Sequence, residues 1–170
     1  MGHRGRGPAP GSRRTGSNGH VRLAPGAPLI AIDTNLLIYA HRANVPEHGP
    51  ARRALERAAN DTLGWGIALA SLAEFWSVVT HPAAAARASS PGQAAAFVDA
   101  LTEAGAHLWQ PGPGFAMRLL RAARERNVRG ARVFDLHVAL TAAEGGAREI
   151  WTHDGDFVSV PGLRVRDPLG

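Results

Sequence analysis

The sequence contains no cysteine and no lysine in 170 residues. The absence of cysteine excludes disulfides, thiolate metal sites and cysteine nucleophiles, and it is compatible with a reducing cytoplasm. All 19 basic residues are arginine, which excludes the lysine of a P-loop, Schiff-base chemistry and any mechanism that needs a side-chain amine. No apolar run approaches the length of a membrane span. We therefore expect a cytoplasmic protein with no membrane segment and no thiol or amine chemistry.

The charge distribution indicates one folded domain preceded by a basic segment. Residues 1–28 contain five arginines and no acidic residue, so they account for the whole formal net charge of +5. This segment is rich in Gly, Pro, Ser and Arg and has no hydrophobic periodicity, which is typical of a chain that cannot bury enough surface to fold. We expect residues 1–28 to be a disordered basic extension and residues 29–170 to form a single domain.

Short apolar runs alternate with helical patterns from Leu29 onwards. The predicted strands lie near 29–33, 65–68, 106–109, 149–152 and 163–166, and the predicted helices near 35–41, 47–60, 71–80, 91–104, 114–126 and 133–145. Strands that alternate with helices in this way are typical of parallel sheets. The sequence therefore predicts an α/β fold with a mostly parallel central sheet flanked by helices.

Four acidic residues lie where strands or helices begin or end, namely Asp33, Glu74, Asp135 and Asp154. Asp33 follows an apolar strand pattern, and Asp154 repeats that placement after 149–152. The carboxyl ends of parallel strands are where open α/β sheets bind ligands. These positions therefore predict that at least two of the acids meet at one edge of the sheet.

Asp135 lies in the first turn of a predicted helix, on the face directed at the protein interior. Val138, Ala139 and Ala142 share that face at the i+3, i+4 and i+7 positions. Carboxylates that converge in a poorly solvated cleft repel each other and take up protons, whereas a bound divalent cation keeps them ionised. Oxygen ligands suit Mg²⁺ or Mn²⁺. The four acids together therefore predict a metal site.

Each acid also has an explanation that needs no metal. Asp33 is a residue type that caps helices, and Ser71 with Glu74 has the spacing of a capping box. An acid in the first helical turn, such as Asp135, is favoured by the helix dipole by about 0.3–1 kcal/mol, and residues 154–156 are compatible with an ordinary turn. Four separate explanations would not place every acid near one sheet edge, so the joint metal site is favoured.

The tryptophans and histidines give weaker evidence of function than the acidic residues. The tryptophans at 65, 76, 109 and 151 fall within predicted elements, so burial is favoured over stacking on nucleobases. The eight histidines show no spacing typical of paired ligands, and packing or solvent exposure is the favoured interpretation. His153 stands out only because it precedes Asp154.

Four segments, in this order, resemble the motifs of PIN-domain ribonucleases and most closely those of VapC toxins from prokaryotic toxin–antitoxin pairs. They are IDTNLLIYA, SLAEFWSVVTHP, VRGARVFDLHVA and WTHDGDFVSVPGLRVRDPL, and the likeness covers the chain from about residue 29 to 169. The resemblance implies a PIN-like three-layer α/β/α fold and Mg²⁺- or Mn²⁺-dependent cleavage of RNA. It also implies a VapB-type antitoxin that masks the site, and usually a homodimer.

Position by position, the resemblance matches Asp33, Glu74, Asp135 and Asp154 to the acidic metal-site residues of the family, with Asp156 as the alternative fourth acid. It implies that residues 29–170 are a PIN nuclease domain that hydrolyses RNA phosphodiester bonds. One or two divalent ions held by these acids would polarise the phosphoryl oxygen and activate a water molecule.

Five further residues are candidates for supporting roles. Thr34, Asn35 and Thr152 are placed to orient the carboxylates by hydrogen bonds. Arg129 and Arg132 lie in the turn that leads to the third acid, where a guanidinium can hold RNA phosphate with two parallel hydrogen bonds. We therefore predict that these two arginines bind substrate.

Two other functions remain open from the sequence. An aspartyl phosphatase also places an aspartate after its first strand, but Asn35 replaces the second aspartate of its D-x-D motif and no lysine is present to neutralise a phosphoryl group. The other alternative is a catalytically silent PIN-like module that only binds RNA or protein. A complete set of acids argues against such a module.

Overall fold

A computed structural model describes residues 1–2, 29–83 and 88–170. The predicted disordered extension therefore lies almost wholly outside the described residues. The five strands are β1 Leu29–Ile32, β2 Trp65–Ala68, β3 His107–Trp109, β4 Ala147–Trp151 and β5 Arg164–Arg166. The six helices are α1 Thr34–His41, α2 His48–Ala59, α3 Leu69–Val79, α4 Pro91–Glu103, α5 Phe115–Glu125 and α6 Arg132–Glu144. Among the described residues, no helix combines the length and the apolar character needed to cross a bilayer.

The five strands form one sheet in the order β3-β2-β1-β4-β5. Every strand pairing is parallel, which confirms the predicted sheet type. The chain builds outwards from β1 to β2 and β3 on one side, and then returns to the other side for β4 and β5. Strand order reverses between β1 and β4, and in open parallel sheets the crevice at such a reversal is where ligands bind.

Apolar clusters cover both faces of the sheet, because successive side chains of a strand point to opposite faces. Ile30 and Ile32 of β1 pack into a cluster formed largely by α1, α2 and α4. Leu29 and Ala31, which alternate with them, pack into a second cluster built mainly on α6 and β4. The three-layer α/β/α architecture is confirmed, and its central strand β1 is buried along its whole length.

The tryptophan prediction is right for three positions and wrong for one. Trp65, Trp109 and Trp151 are buried in the sheet layer. Trp76 is 41% exposed, because α3 packs on the core through Phe75 and Val79. Trp76 is therefore an apolar side chain on the outer surface of α3.

A buried carboxylate holds the edge strand β5 to β4. Glu149 accepts hydrogen bonds from the indole N–H of Trp151 and from the guanidinium of Arg164, and Arg166 Nη1 lies 3.4 Å from it. Burial opposes ionisation of Glu149, but the hydrogen bonds from Trp151 and Arg164 outweigh it and lower the pKa of this carboxyl. This network fixes the strand that completes the sheet beside the candidate site.

Candidate active site

Asp33 and Thr152 end the two strands between which the strand order reverses. Ile32 of β1 lies in register with Trp151 of β4, so the residues that follow them stand side by side at the sheet edge. The backbone N–H of Asp33 donates to the carbonyl of Trp151 at 3.0 Å, which extends the ladder to the edge of the crevice. The backbone hydrogen bonds of the sheet alone therefore fix the position of Asp33.

The carboxylate of Asp33 is 8% exposed and is surrounded by donors. Its Oδ1 accepts from the backbone N–H of Thr34 at 2.8 Å, which caps α1. Its Oδ2 accepts from the Thr152 hydroxyl at 2.7 Å and from the Asn35 amide at 3.1 Å. Oδ1 therefore caps α1, whereas Oδ2 belongs to a hydrogen-bond network that joins the ends of β1 and β4.

The predicted orienting residues Asn35 and Thr152 also contact each other. The Asn35 amide donates to Thr152 Oγ1 at 2.9 Å, and the backbone N–H of Asp154 donates to the same hydroxyl at 3.0 Å. Thr152 is 1% exposed, so its single proton is committed to Asp33 in a site with little water to compete. The ends of β1 and β4 are thereby joined by side chains as well as by backbone.

Glu74 approaches the site from α3. Its Oε2 accepts from the Thr34 hydroxyl at 2.8 Å. The capping-box alternative for this residue is wrong, because α3 begins at Leu69 and places Ser71 inside the helix. The Ser71 hydroxyl has no hydrogen-bond partner within the described residues. Thr34 therefore links Glu74 to Asp33 through its side chain and its backbone.

Asp135 enters from the first turn of α6, where it was predicted. Burial raises the pKa of Asp135, and the negative charges of Asp154 and Glu74 add to that effect. The nearby backbone N–H of Val158 and the charge of Arg132 lower this pKa and so act in the opposite direction. Electrostatic coupling of this kind requires that the acids lie close together.

The pKa of Asp33, at the end of β1, also indicates that the acidic side chains interact. Burial and, to a smaller extent, the charges of Asp135 and Glu74 raise it to about 6, against hydrogen bonds from Thr152 and Thr34 that lower it. The charge of Asp135 thus raises the pKa of Asp33, and the charge of Asp154 raises the pKa of Asp135. All four predicted positions converge on the carboxyl edge of the sheet.

The alternative fourth acid, Asp156, differs in its surroundings. Its side chain is 90% exposed and lies 3.6 Å from Arg132. Its backbone N–H donates to Asp154 Oδ1 at 2.9 Å, so a turn does form at 154–156 as the simpler explanation required. Only Asp154 of the two is coupled to the Asp135 carboxylate.

The acidic side chains in this arrangement do not form a complete set of ligands for one metal ion. Among the described residues, no group of three acidic or histidine side chains is close enough to share one ion. Asp33 and Glu74 are held by the donors named above. His153, adjacent to Asp154 in sequence, lies 2.8 Å from Asp167 through Nδ1.

Arg132 lies beside Asp156 and affects the pKa of Asp135, and Arg129 and Arg126 line the same cleft as Arg132. Arg132 Nη2 donates to the backbone carbonyl of Asp156 at 2.7 Å, and Arg129 Nε donates to the Asn127 side chain at 3.2 Å. Arg126, which follows the last residue of α5, donates to the carbonyl of Ser159 at 2.9 Å. Arg126 is not among the arginines predicted to bind substrate, and the tertiary fold brings it to this loop.

The family model of the PIN domain matches residues 30–163. The chain belongs to the PIN-domain family. Ribonuclease VapC43 of Mycobacterium tuberculosis is 36% identical over 142 residues, which cover 83% of this chain and 96% of that protein. The chain therefore belongs to the VapC ribonucleases within the PIN-domain family, as the sequence motifs predicted.

Solved structures share the PIN fold at lower sequence identity. The crystal structure of VapC20 from M. tuberculosis, described as a sarcin-ricin loop cleaving toxin, has a TM-score of 0.59 at 17% identity and covers 77% of this chain and 98% of that one. The structure of VapBC-1 from nontypeable Haemophilus influenzae has a TM-score of 0.58 at 18% identity and covers 84% and 99%. Both likenesses support the fold of this PIN domain.

Proposed function

We propose that this PIN domain is a divalent-metal-dependent endoribonuclease and the toxin of a VapBC-type toxin–antitoxin pair. The observation that carries the proposal is the convergence of Asp33, Glu74, Asp135 and Asp154 at the β1/β4 edge, in a domain that belongs to the VapC ribonucleases. The reaction is hydrolysis of an RNA phosphodiester bond.

The residues present fit a hard divalent cation. The donor set consists of carboxylate oxygens, which suit Mg²⁺, with Mn²⁺ as a substitute. Burial that raises the pKa of Asp33 to about 6 also makes its ionised form costly, and a cation placed among the acids reverses the sign of that energy. When bound, such an ion supplies Lewis-acid activation of the phosphoryl oxygen and a water of lowered pKa.

The chain's own residues prepare this chemistry by holding the carboxylates in fixed orientations. The Thr152 hydroxyl and the Asn35 amide donate to Asp33 Oδ2, and the Thr34 N–H donates to Oδ1, which leaves the second lone pair of Oδ1 for a ligand. The Thr34 hydroxyl holds Glu74 in the same way. Asp135 lies near the backbone N–H of Val158 and within electrostatic range of Asp154 and Glu74. No protein nucleophile is needed for this reaction.

A VapB-type antitoxin and an RNA are the proposed partners, and a homodimer is the proposed assembly. Support for the antitoxin comes from the VapBC composition named for the H. influenzae structure with the same fold. A cleft of about 470 Å³ beside Glu74 is lined mostly by apolar side chains, among them Leu69 and Phe134, which are 49% and 62% exposed. Large apolar side chains that stay exposed around a cleft are suited to contact with a partner protein.

The proposal is tested by incubating the purified protein with a mixture of single-stranded and structured RNAs. Cleavage is expected in Mg²⁺ or Mn²⁺, loss of cleavage in EDTA, and recovery when Mg²⁺ is restored. RNA binding without cleavage under every divalent condition would favour the silent PIN-like module. The phosphatase alternative has little support, because the Asn35 amide is committed to Asp33 and Thr152.

A further inference from the structure

A cleft of about 290 Å³ lies between the end of α5, the start of α6 and the loop that follows β4. Its lining consists of Arg126, Asn127, Val128, Arg129, Arg132 and Val158. Three of these six residues carry a guanidinium, so the cleft is strongly basic although the folded domain has equal numbers of acidic and basic residues. A concentration of one charge in a concave site favours an anionic ligand.

The arginines of the cleft are anchored mainly by uncharged acceptors. Arg126 donates to the backbone carbonyl of Ser159, Arg129 to an amide oxygen of Asn127, and Arg132 to the carbonyl of Asp156. Each of these bonds uses part of a guanidinium that has five N–H donors. Among the described residues, the one carboxylate within salt-bridge distance of these arginines is the highly exposed Asp156, 3.6 Å from Arg132. The remaining N–H groups of these guanidinium groups are thus held in place and available to an anionic ligand.

The backbone between α5 and α6 brings two of the arginines together. Asn127 adopts a left-handed conformation with φ of 52°, which reverses the chain directly after α5. Arg126 and Arg129, on either side of this turn, consequently line the same cleft. The turn is closed by the bond from the Val128 N–H to the carbonyl of Ala123 at 2.9 Å.

The cleft adjoins the acidic centre through two shared residues. Val158 lines the cleft, and its backbone N–H lies close enough to the carboxylate of Asp135 to lower its pKa. Arg132 also lines the cleft, and its positive charge acts on the same carboxylate. A nucleic acid strand with one phosphate at the acids therefore has a neighbouring phosphate within reach of the cleft.

We infer that Arg126, Arg129 and Arg132 form a second phosphate subsite, which binds the phosphodiester next to the bond that is cut. This inference rests on the proposed ribonuclease function and extends it. The planar guanidinium matches the geometry of a phosphate through two parallel hydrogen bonds, which an ammonium cannot reproduce. Binding at this subsite fixes the register of the strand over the acids without reading its bases.

The first test compares two double variants that remove the same charge. Arg126→Gln/Arg129→Gln alters the cleft but leaves Arg132, which touches the loop of the acidic centre, in place. The control, Arg121→Gln/Arg124→Gln, alters exposed arginines of α5 outside the lining of this cleft. Affinity for a fluorescent single-stranded 12-nucleotide RNA is measured in Ca²⁺ at several salt concentrations.

The cleft variant is expected to bind about tenfold more weakly at low salt. The slope of log K against log salt should fall in magnitude by about 0.7 for each phosphate that the variant no longer neutralises. The control variant is expected to change much less. Equal losses of affinity in the two variants would overturn the subsite, because a general positive field would then explain the binding.

The second test locates the phosphate along the strand. An RNA that the wild-type protein cuts at one position is made with a neutral methylphosphonate at one flanking linkage or the other. A methylphosphonate at one of the two flanking linkages should slow wild-type cleavage about tenfold. The same methylphosphonate should not slow cleavage by Arg126→Gln/Arg129→Gln further. Equal sensitivity in wild type and variant would contradict the subsite. If the wild-type protein cuts no RNA while the difference in binding persists, the subsite stands and the nuclease function fails.

Discussion

The hydroxyl of Thr152 donates a hydrogen bond to Oδ2 of Asp33 at 2.7 Å, across the ends of β4 and β1. The same hydroxyl accepts from the Asn35 amide and from the backbone N–H of Asp154. Three short hydrogen bonds on one buried oxygen fix the direction of its proton. Thr152 therefore acts as a positioning residue for Asp33, and the proposed metal chemistry depends on it.

Replacing Thr152 with valine removes this donor at nearly constant volume. Its hydrogen bond lowers the pKa of Asp33, so its loss should move that pKa further above about 6. We expect RNA cleavage at neutral pH to fall by roughly 10–100-fold, with the acid limb of the pH–rate profile shifted to higher pH. Thr152→Ser keeps the hydroxyl and should retain most activity. Identical pH profiles for the valine variant and wild type would contradict this role.

The metal-free protein should lose stability as the pH rises from about 4 to about 6. The folded-state pKa of Asp33 lies near 6, above its ordinary value of 3.8, so the folded state binds more protons in this interval. The stabilising effect is complete below the unfolded pKa and disappears above the folded one, with an upper limit of about 3 kcal/mol. Chemical denaturation in EDTA at several pH values measures it.

Asp33→Asn is the control for that pH dependence, because it removes the titrating group. The difference in unfolding free energy between wild type and variant should change over this interval, and the contribution of Glu149, whose pKa is set by Trp151, Arg164 and Arg166, largely cancels in the comparison. Adding Mg²⁺ should raise the stability of wild type more than that of the variant at pH 7. Parallel pH profiles for the two proteins would show that Asp33 does not titrate as described.

The Glu149 network is expected to stabilise the fold independently of the acids. Glu149→Gln leaves donors of Arg164 and Trp151 with a weaker, uncharged acceptor in a buried place, so we expect a loss of about 1–3 kcal/mol in unfolding free energy. Glu56→Gln is the matched control. Its partner Arg52 is 3.8 Å away and both side chains are over 60% exposed, which predicts a change below about 0.5 kcal/mol.

The stability loss in Glu149→Gln should itself depend on pH. The pKa of Glu149 is lowered in the folded state, so its contribution is present above the unfolded pKa of 4.5 and disappears as the pH falls through the folded value. The wild type and the variant should therefore converge in stability towards low pH. An equal difference at pH 7 and pH 3 would mean that packing, and not charge, accounts for the effect.

Local pattern predicted the elements well, because β1 and β2 are short apolar runs and strands alternate with helical patterns along the chain. The first strand, predicted near 29–33, spans Leu29–Ile32, and the strand predicted near 65–68 spans Trp65–Ala68. The convergence of the acids was also predictable, since the carboxyl ends of parallel strands share one edge. The structure adds the order β3-β2-β1-β4-β5, which alternation alone leaves undetermined.

What local pattern missed depends on tertiary packing. Helix α3 begins at Leu69 with no side-chain cap, so the apparent capping box at Ser71 misidentified the partner of Glu74. Trp76 is exposed because its neighbours Phe75 and Val79 bury the other face of the helix. Arg126 joins the cleft only because of the left-handed turn at Asn127. No spacing rule identifies these three features in advance.

Cleavage of RNA by Asp33→Asn and Asp135→Asn in Mg²⁺ tests the central claim most directly. Each variant keeps the shape of the side chain and removes a carboxylate from the cluster, so each should cut RNA at least about 100-fold more slowly than wild type. Their melting temperatures in EDTA should equal or exceed that of wild type, because a repulsive charge is gone. Asp99→Asn, on the exposed surface of α4, is the control and should cut normally. Wild-type cleavage rates in both site variants would contradict a carboxylate metal centre in this protein.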